Sequence, residues 1–411
     1  TGQPKGAMIS NHNVLGLARE AAQMLGASRE DCLLSYLPLC HVAEKIFSLF
    51  LPLTTGAVVH FGESIETVQQ DLAEVSPTVF LGVPRIWEKM HAQVTLKMQD
   101  ASWLKRTLYN FFIPRGQAIA DRRRDGTSGF VDSCVAWLGD MLVFRALQER
   151  LGLRRCRLPV SGAAPISPEL LRWFHGMGVA IGEGYGQTES TGVSHLNQPG
   201  AVRIGTVGQL IPGMECRIAE DGEILLKGDA VFCGYLHNEE ATRTTVDESG
   251  WLHTGDIGSV DADGYLSITG RKKEIIITAG GKNLSPEKIE NSLKNSAYIK
   301  EAVAIGDARK FISALVLIDY HAVSDWAVRK DIPHTSLSDL VTHTEVQELV
   351  EDEINKGNEH LARVEQVRAF RLFDKELHQD DGELTATQKV RRSAITEKYD
   401  ALINSMYTRS G

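Results

Sequence analysis

The chain has 411 residues, 43% of them hydrophobic and 24% charged, with a formal net charge of −9. That length points to roughly two or three domains, and the acidic balance excludes a general nucleic-acid binder. Six cysteines without C-x-x-C spacing exclude a paired zinc or redox motif and fit a reducing, cytoplasmic compartment, and no apolar run is long enough to span a bilayer.

The chain opens on Thr1-Gly2-Gln3-Pro4-Lys5-Gly6, a glycine-flanked loop with one lysine and no strand ahead of it. This predicts that the natural protein begins upstream. Glycines let backbone approach phosphate and Lys5 adds positive charge; a surface turn is the alternative, since G-x-x-x-x-G-K-[ST] is absent. Residues 11–90 then alternate helix-like and strand-like segments. Short buried strands are predicted at 57–61 and 78–81 around a helix at 66–75, a parallel α/β rhythm.

Residues 91–155 read as a long helical stretch, interrupted near Pro114 and at 126–129. Between 97 and 124 it holds seven basic and two acidic residues, with Trp103, Leu104, Leu108, Tyr109, Phe111 and Phe112 interleaved. That pattern is either an amphipathic helix packed on the core or a surface that meets an anionic membrane or guides a lipid tail.

The α/β rhythm resumes at 156, and Ser167-Pro168-Glu169 predicts a helix start. Gly184-Tyr185-Gly186-Gln187-Thr188-Glu189 follows. Its two glycines bracket an aromatic ring able to lie against a purine. Thr188 offers a hydroxyl to phosphate, and Glu189 offers an oxygen ligand to Mg²⁺; a tight turn with a capping acid is the alternative. Residues 203–270, rich in glycine and short strands, predict a small antiparallel subdomain. Within it His253-Thr254-Gly255-Asp256 sets a carboxylate on a glycine turn, suited to ribose hydroxyls. Arg271, fifteen positions on, either holds the same sugar or a phosphate, or pairs with Asp256 across a loop.

A boundary is predicted near 271. Beyond it come a strand at 275–278, Gly280-Gly281-Lys282, a helix opening at Ser285-Pro286 and strands at 302–305 and 314–318. A helix at 344–361, a strand at 367–372 and a charged helix at 391–403 complete an α+β unit. Lys389, just before that last helix, reads by itself as a surface lysine.

In this order, T-G-x-P-K-G, Y-G-x-T-E, T-G-D, Gly270-Arg271-Lys272-Lys273-Glu274 and a C-terminal lysine resemble the adenylate-forming superfamily of acyl-CoA synthetases, luciferases and peptide-synthetase adenylation domains. Pro38-Leu39-Cys40-His41, Val83-Pro84-Arg85-Ile86-Trp87-Glu88-Lys89 and Ser161-Gly162-Ala163-Ala164-Pro165-Ile166-Ser167 are similar to its long-chain fatty acyl-CoA synthetase branch. The helical insertion at 91–155 is similar to that branch and to its bubblegum members.

The resemblance implies an α/β adenylate-forming fold. A large N-terminal α/β domain would cover 1–270, lacking its front part, with the insertion at 91–155 and the β-rich subdomain at 203–270. A small α+β lid domain would cover 271–411. The implied activity is ATP-dependent conversion of a long-chain fatty acid to acyl-AMP and then acyl-CoA, with Mg²⁺ and coenzyme A. Gly2, Lys5 and Gly6 would surround phosphate. Ala163, Ala164 and Pro165 would line the adenine site with Glu183, Gly184 and Tyr185, followed by Gly186 and Gln187. Thr188 would contact phosphate, Glu189 would bind Mg²⁺, and Asp256 and Arg271 would hold the ribose. Lys273 would be the hinge, Gly280 and Gly281 would line the coenzyme A channel, and Lys282 would contact nucleotide or coenzyme A. Lys389 would serve the adenylation step. His41 would lie near the acyl carbonyl, unless it is a hydrogen-bonded histidine of a core loop. Two departures stand against the family pattern: the serine- and threonine-rich first half of the phosphate loop is missing, as is everything upstream. A ligase for an aryl or amino acid, and a non-catalytic nucleotide- or lipid-binding relative, are the competing readings.

Overall fold

A computed structural model describes residues 5–385 and 389–408. It divides into two compact units, one of Lys5–Met90 with Lys97–Lys272, the other formed chiefly from Lys273 onward and taking in His91–Leu96.

The first unit is built on a seven-stranded sheet. In spatial order its strands are Val58–Phe61, Cys32–Ser35, Val79–Gly82, Leu158–Ser161, Gly182–Tyr185, His195–Leu196 and Gln209–Leu210. The first five run parallel and the last two antiparallel. Val79–Gly82 and Leu158–Ser161 are buried at every position, as central parallel strands covered on both faces should be. Leu33, Val79, Leu81, Leu158 and Val160 share one core with Val14 and Leu17 of helix Asn11–Leu25.

Two expectations need correction. The strand at 58–61 is not buried: among the described residues it pairs with one neighbour, and Val58 and Phe61 are exposed. Nor does Pro114 interrupt the insertion, for it lies inside a continuous helix, Trp103–Arg124. Pro114 is exposed, while Phe112, Ile113, Gly116 and Ile119 are buried. Gly116 packs so closely on helix Pro168–Gly176 that a Cβ there would lie 2.1 Å from the Gly176 carbonyl. That packing outweighs the loss of about 3 kcal/mol expected of a proline within a helix. The helices break at residues 125–129, where an interruption was expected, and at 100–102.

A four-stranded antiparallel sheet completes this unit, in the order Leu266–Arg271, Leu252–Val260, Glu223–Gly228, Met214–Ile218. Its register sets Asp256 opposite Arg271.

The second unit begins with a hairpin of Ile276–Ile277 and Asn283–Leu284. Its main sheet pairs Ile299–Ile305 antiparallel with Ile312–Ile318, which pairs parallel with Val367–Leu372. Ile312–Ile318 is buried throughout because its two faces serve two cores. Ala314, Val316 and Ile318 meet Ile289, Val346 and Val350; Leu315 and Leu317 meet Phe373, Ile395 and Ile403. Helix Tyr320–Arg329, capped by Asp319, was not anticipated from sequence. The terminal helix breaks at Tyr399 into Arg392–Lys398 and Asp400–Ser405.

Candidate nucleotide site

Strands Leu158–Ser161 and Gly182–Tyr185 run parallel with Ser161 opposite Glu183. The loops that follow therefore open at the carboxyl ends of neighbouring strands, where α/β sheets bind ligands. The first loop carries Ala163, Ala164 and Pro165, and Ala163 takes a left-handed φ of 70°. The second turns sharply after Tyr185. Gly186 is obligatory there, because a Cβ would lie 2.4 Å from the Gly192 carbonyl. A 3₁₀ turn, Thr188–Ser190, follows. The Gln187 N–H donates to Ser190 Oγ at 3.1 Å, and the Gly192 N–H donates to the Gln187 carbonyl at 2.9 Å. Thr188 is exposed at this turn. Ser161 Oγ and Gln187 Nε2 are buried without a hydrogen-bond partner among the described residues. Orphaned polar atoms at this strand end suit a polar ligand.

Segment 184–189 is anchored at both ends. At the first, the Tyr185 hydroxyl donates to Asp256 Oδ2 at 2.6 Å. Arg271 Nε lies 3.2 Å from the other oxygen, Oδ1, and the Asp256 N–H donates to Thr254 Oγ1 at 3.1 Å. Asp256 is 5% exposed. Burial, and then the facing Asp256 carboxylate, push the Tyr185 phenol well above its usual value. Beside this group Glu223 accepts the Gly255 N–H at 2.9 Å and pairs with Lys272 at 3.2 Å. The turn that carries Asp256 is thereby fixed.

At the second anchor the Glu189 carbonyl accepts the Phe232 N–H at 2.9 Å, and its carboxylate Oε1 accepts the Tyr235 hydroxyl at 2.5 Å. Tyr235 lies on Gly234–Tyr235, which pairs antiparallel with Ala7–Met8. That pairing brings Lys5 and Gly6 to the Tyr235 that holds Glu189. Lys5 Nζ sits 4.3 Å over the Tyr235 ring, and the Gly6 carbonyl accepts the Leu236 N–H at 2.8 Å. Gly2 lies outside the described residues. Sequence reasoning missed Tyr235, since a lone Gly-Tyr dipeptide carries no spacing signal. A Cβ on Gly192 would meet Val42 at 3.4 Å and Ile46 at 3.5 Å, so helix Val42–Lys45 sits beside the same turn. His41 caps that helix, its Nδ1 accepting the Ala43 N–H at 3.2 Å.

Among the described residues no three His, Cys, Asp or Glu side chains gather as a metal cage. Glu189 supplies one carboxylate, fixed by a phenol. That donor set fits Mg²⁺, which takes its remaining ligands from substrate phosphates and water.

In the second unit Lys273 is exposed. Gly280, Gly281 and Lys282 form the exposed tip of the first hairpin, with Gly281 at a φ of 71°. The Lys282 N–H donates to Thr278 Oγ1 at 3.1 Å. Lys389 is exposed on a loop closed by the bridge Leu384–Val390, and its N–H donates to Thr385 Oγ1 at 3.0 Å. The base of this loop rests on buried Glu383. Burial raises that carboxyl, but Lys398, the His378 N–H, Tyr399 and Lys375 outweigh it and hold it at about 2.

A parallel sheet with a polar turn at its carboxyl end, an Asp–Arg pair beside it and a separate α+β unit are the features of an adenylate-forming fold. The family model described as AMP-binding enzyme matches residues 1–236, and that described as AMP-binding enzyme C-terminal domain matches residues 273–411. The chain belongs to this AMP-binding enzyme family. It is 36% identical to the long-chain-fatty-acid–CoA ligase FadD15 of Mycobacterium tuberculosis, over all of this chain and 68% of that protein. It is 33% identical to the long-chain-fatty-acid–CoA ligase ACSBG1 of Bos taurus, over 99% of this chain and 60% of that one. Among solved structures, the A domain of carboxylic acid reductase from Segniliparus rugosus, in complex with AMP and a co-purified carboxylic acid, superposes with a TM-score of 0.69 at 21% identity, over 98% of this chain and 60% of that one. The anthranilate CoA ligase AuaEII, in complex with anthranoyl-AMP, gives 0.67 at 20% identity, over 98% of this chain and 65% of that one. At these identities the structures establish the fold.

Proposed function

We propose that this chain carries the nucleotide site of a long-chain fatty acid–CoA ligase. The reaction activates a fatty carboxylate with ATP to acyl-AMP and pyrophosphate, then passes the acyl group to coenzyme A with release of AMP. One observation carries this reading: segment 184–189 is tied through Tyr185 to Asp256 and Arg271, and through Glu189 to Tyr235 beside Lys5. In this reading the groups assigned to ribose and to phosphate stand at the two ends of one short turn.

The carboxylate must attack an α-phosphorus that already carries negative oxygens, so fixed positive charge lowers the barrier. Lys5 and Lys389 supply it in this reading, and Mg²⁺ held on Glu189 would add charge at the phosphates. Tyr235 holds the Glu189 carboxylate in one orientation. Thr188 donates its hydroxyl to a phosphate oxygen. Asp256 accepts from the ribose hydroxyls while Arg271 holds the sugar, and Ala163, Ala164 and Pro165 face the base with Glu183, Gly184 and Tyr185. His41 serves the acyl carbonyl. For thioesterification we assign Gly280 and Gly281 to the coenzyme A channel, Lys282 to the nucleotide or coenzyme A, and Lys273 to the hinge. No helix among the described residues is long and apolar enough to cross a membrane; peripheral membrane contact through 97–124 belongs to the same reading.

A pyrophosphate-release assay with palmitate, benzoate and amino acids, each with and without coenzyme A, tests the proposal. Release with palmitate, and AMP turnover that requires coenzyme A, is the expected result. Preference for benzoate would replace it with an aryl-acid ligase. AMP binding by calorimetry without release by any acid would replace it with a non-catalytic nucleotide binder.

A further inference from the structure

The segment after residue 129 has an apolar face for which the nucleotide site has no use. Helix Phe130–Gly139, the π-turn Asp140–Phe144 and helix Arg145–Arg150 run on from one another. The inner side packs on helix Trp103–Arg124. Gly139, Val143, Phe144 and Leu147 are buried, and a Cβ on Gly139 would lie 3.1 Å from Phe112. The outer side is apolar too. Phe130, Val131, Trp137, Leu138, Met141 and Leu142 are all exposed, Phe130 at 84% and Trp137 at 64%. In water that face of a helix is normally polar. The three acids of the segment are paired with neighbouring cations: Arg122 holds Asp132 through two contacts, at 2.9 and 2.6 Å, Arg154 lies 2.8 Å from Asp140, and Arg145 lies 3.0 Å from Glu149.

The surroundings are positive. Residues 97–157 contain twelve Lys and Arg against six Asp and Glu, in a chain whose net charge is −9. Trp103 and Leu104 are exposed next to Lys105 and Arg106. Arg115 stacks 3.6 Å over the exposed Phe111 ring. A stripe of aromatic and aliphatic side chains rimmed by cations matches a medium that is apolar inside and anionic at its surface. A symmetric contact with a second copy of this chain would bury the stripe but set two basic rims against each other.

We propose that the outward face of residues 130–142, with its basic rim on helix Trp103–Arg124, docks on an anionic phospholipid bilayer. The aromatic side chains enter the boundary between headgroups and acyl chains, and nothing crosses. This places the centre of contact on the helix following 97–124, with that stretch contributing charge. Docking needs neither ATP, coenzyme A nor acid, so its test is independent of the proposed catalytic activity.

The experiment is co-sedimentation of the chain with vesicles of phosphatidylcholine alone and of phosphatidylcholine with phosphatidylglycerol. Binding should favour the anionic vesicles and weaken as salt is raised. A Trp137→Glu/Met141→Glu variant should lose at least about tenfold in binding. Lys105→Glu/Arg106→Glu should lose the preference for anionic vesicles. Circular dichroism and light scattering on each variant separate these effects from misfolding. Equal sedimentation of wild type and Trp137→Glu/Met141→Glu overturns the proposal. So does a wild-type dimer that ignores vesicles and that the same variant dissolves, which makes the stripe a self-association surface.

Discussion

Tyr185 and Asp256, 71 positions apart, meet at 2.6 Å, and the acid is shared with Arg271 at 3.2 Å. The ring that sequence reasoning set against a purine thus also holds the acid proposed for the ribose. Asp256→Asn keeps the shape but removes the charge that two donors and a sugar diol would use. Hydrogen bonds to charged groups contribute about 1.5–3 kcal/mol, so AMP affinity should fall about 10- to 100-fold in calorimetry. Tyr185→Phe leaves Asp256 with Arg271 and should weaken AMP by roughly tenfold or less. Wild-type affinity in Asp256→Asn would remove Asp256 from the site.

Glu183 gives a pH dependence with a defined sign. Burial pushes its carboxyl up to about 8, with the Gly205 N–H opposing. The folded chain therefore keeps a proton that the unfolded chain releases above about 4.5. With more protons bound in the folded state, stability falls as pH rises. The contribution is fully present below the unfolded value and is lost as pH rises through about 8. Glu183→Gln should flatten this trend, so denaturant midpoints of variant and wild type should diverge from pH 5 to 8 in the variant's favour. Parallel midpoints across that range would mean that Glu183 is ionised in the fold.

Much of this was legible in the chain, for identifiable reasons. Ile299–Ile305, Ile312–Ile318 and Val367–Leu372 contain the strands expected at 302–305, 314–318 and near 367–372, where short apolar stretches stand between polar ones. Thr188, Glu189, Asp256 and Arg271 could be proposed because each follows a glycine in a short motif, and the register of two strands sets Asp256 opposite Arg271. Tyr235 was not found, because its role arises from the pairing of Gly234–Tyr235 with Ala7–Met8 across the whole first unit. Pro114 misled because local propensity was read without the packing of Gly116 against Gly176. Phe61 misled because alternation cannot tell an edge strand from a central one.

Two glycines of the motifs make opposite predictions. A Cβ on Gly186 would lie 2.4 Å from backbone of Gly192, which cannot swing aside, whereas a Cβ on Gly280 has nothing nearer than Thr278 Oγ1 at 3.9 Å. Gly186→Ala should therefore displace the turn carrying Thr188 and Glu189. We expect a loss of about 1–3 kcal/mol in unfolding free energy, together with weaker nucleotide binding. Gly280→Ala should leave stability and AMP binding within error and raise only KM for coenzyme A. A stable Gly186→Ala with full nucleotide affinity would contradict the packing of this turn.

Lys389 separates the two half-reactions. Its loop is closed by the Leu384–Val390 bridge and rests on Glu383, which Lys375, Lys398 and Tyr399 hold ionised. Glu383 at the base is buried, while the lysine itself is exposed. A cation offered this way suits the step in which two anions must meet, and it has little to add once the acyl-adenylate exists. Lys389→Ala should slow pyrophosphate release about 10²–10³-fold, the cost of removing one electrostatic stabiliser. Thioester formation from supplied acyl-adenylate and coenzyme A should change far less. Thermal unfolding of the variant, measured alongside, separates a folding defect from a loss of chemistry. Equal losses in both half-reactions would place Lys389 in binding common to both steps instead.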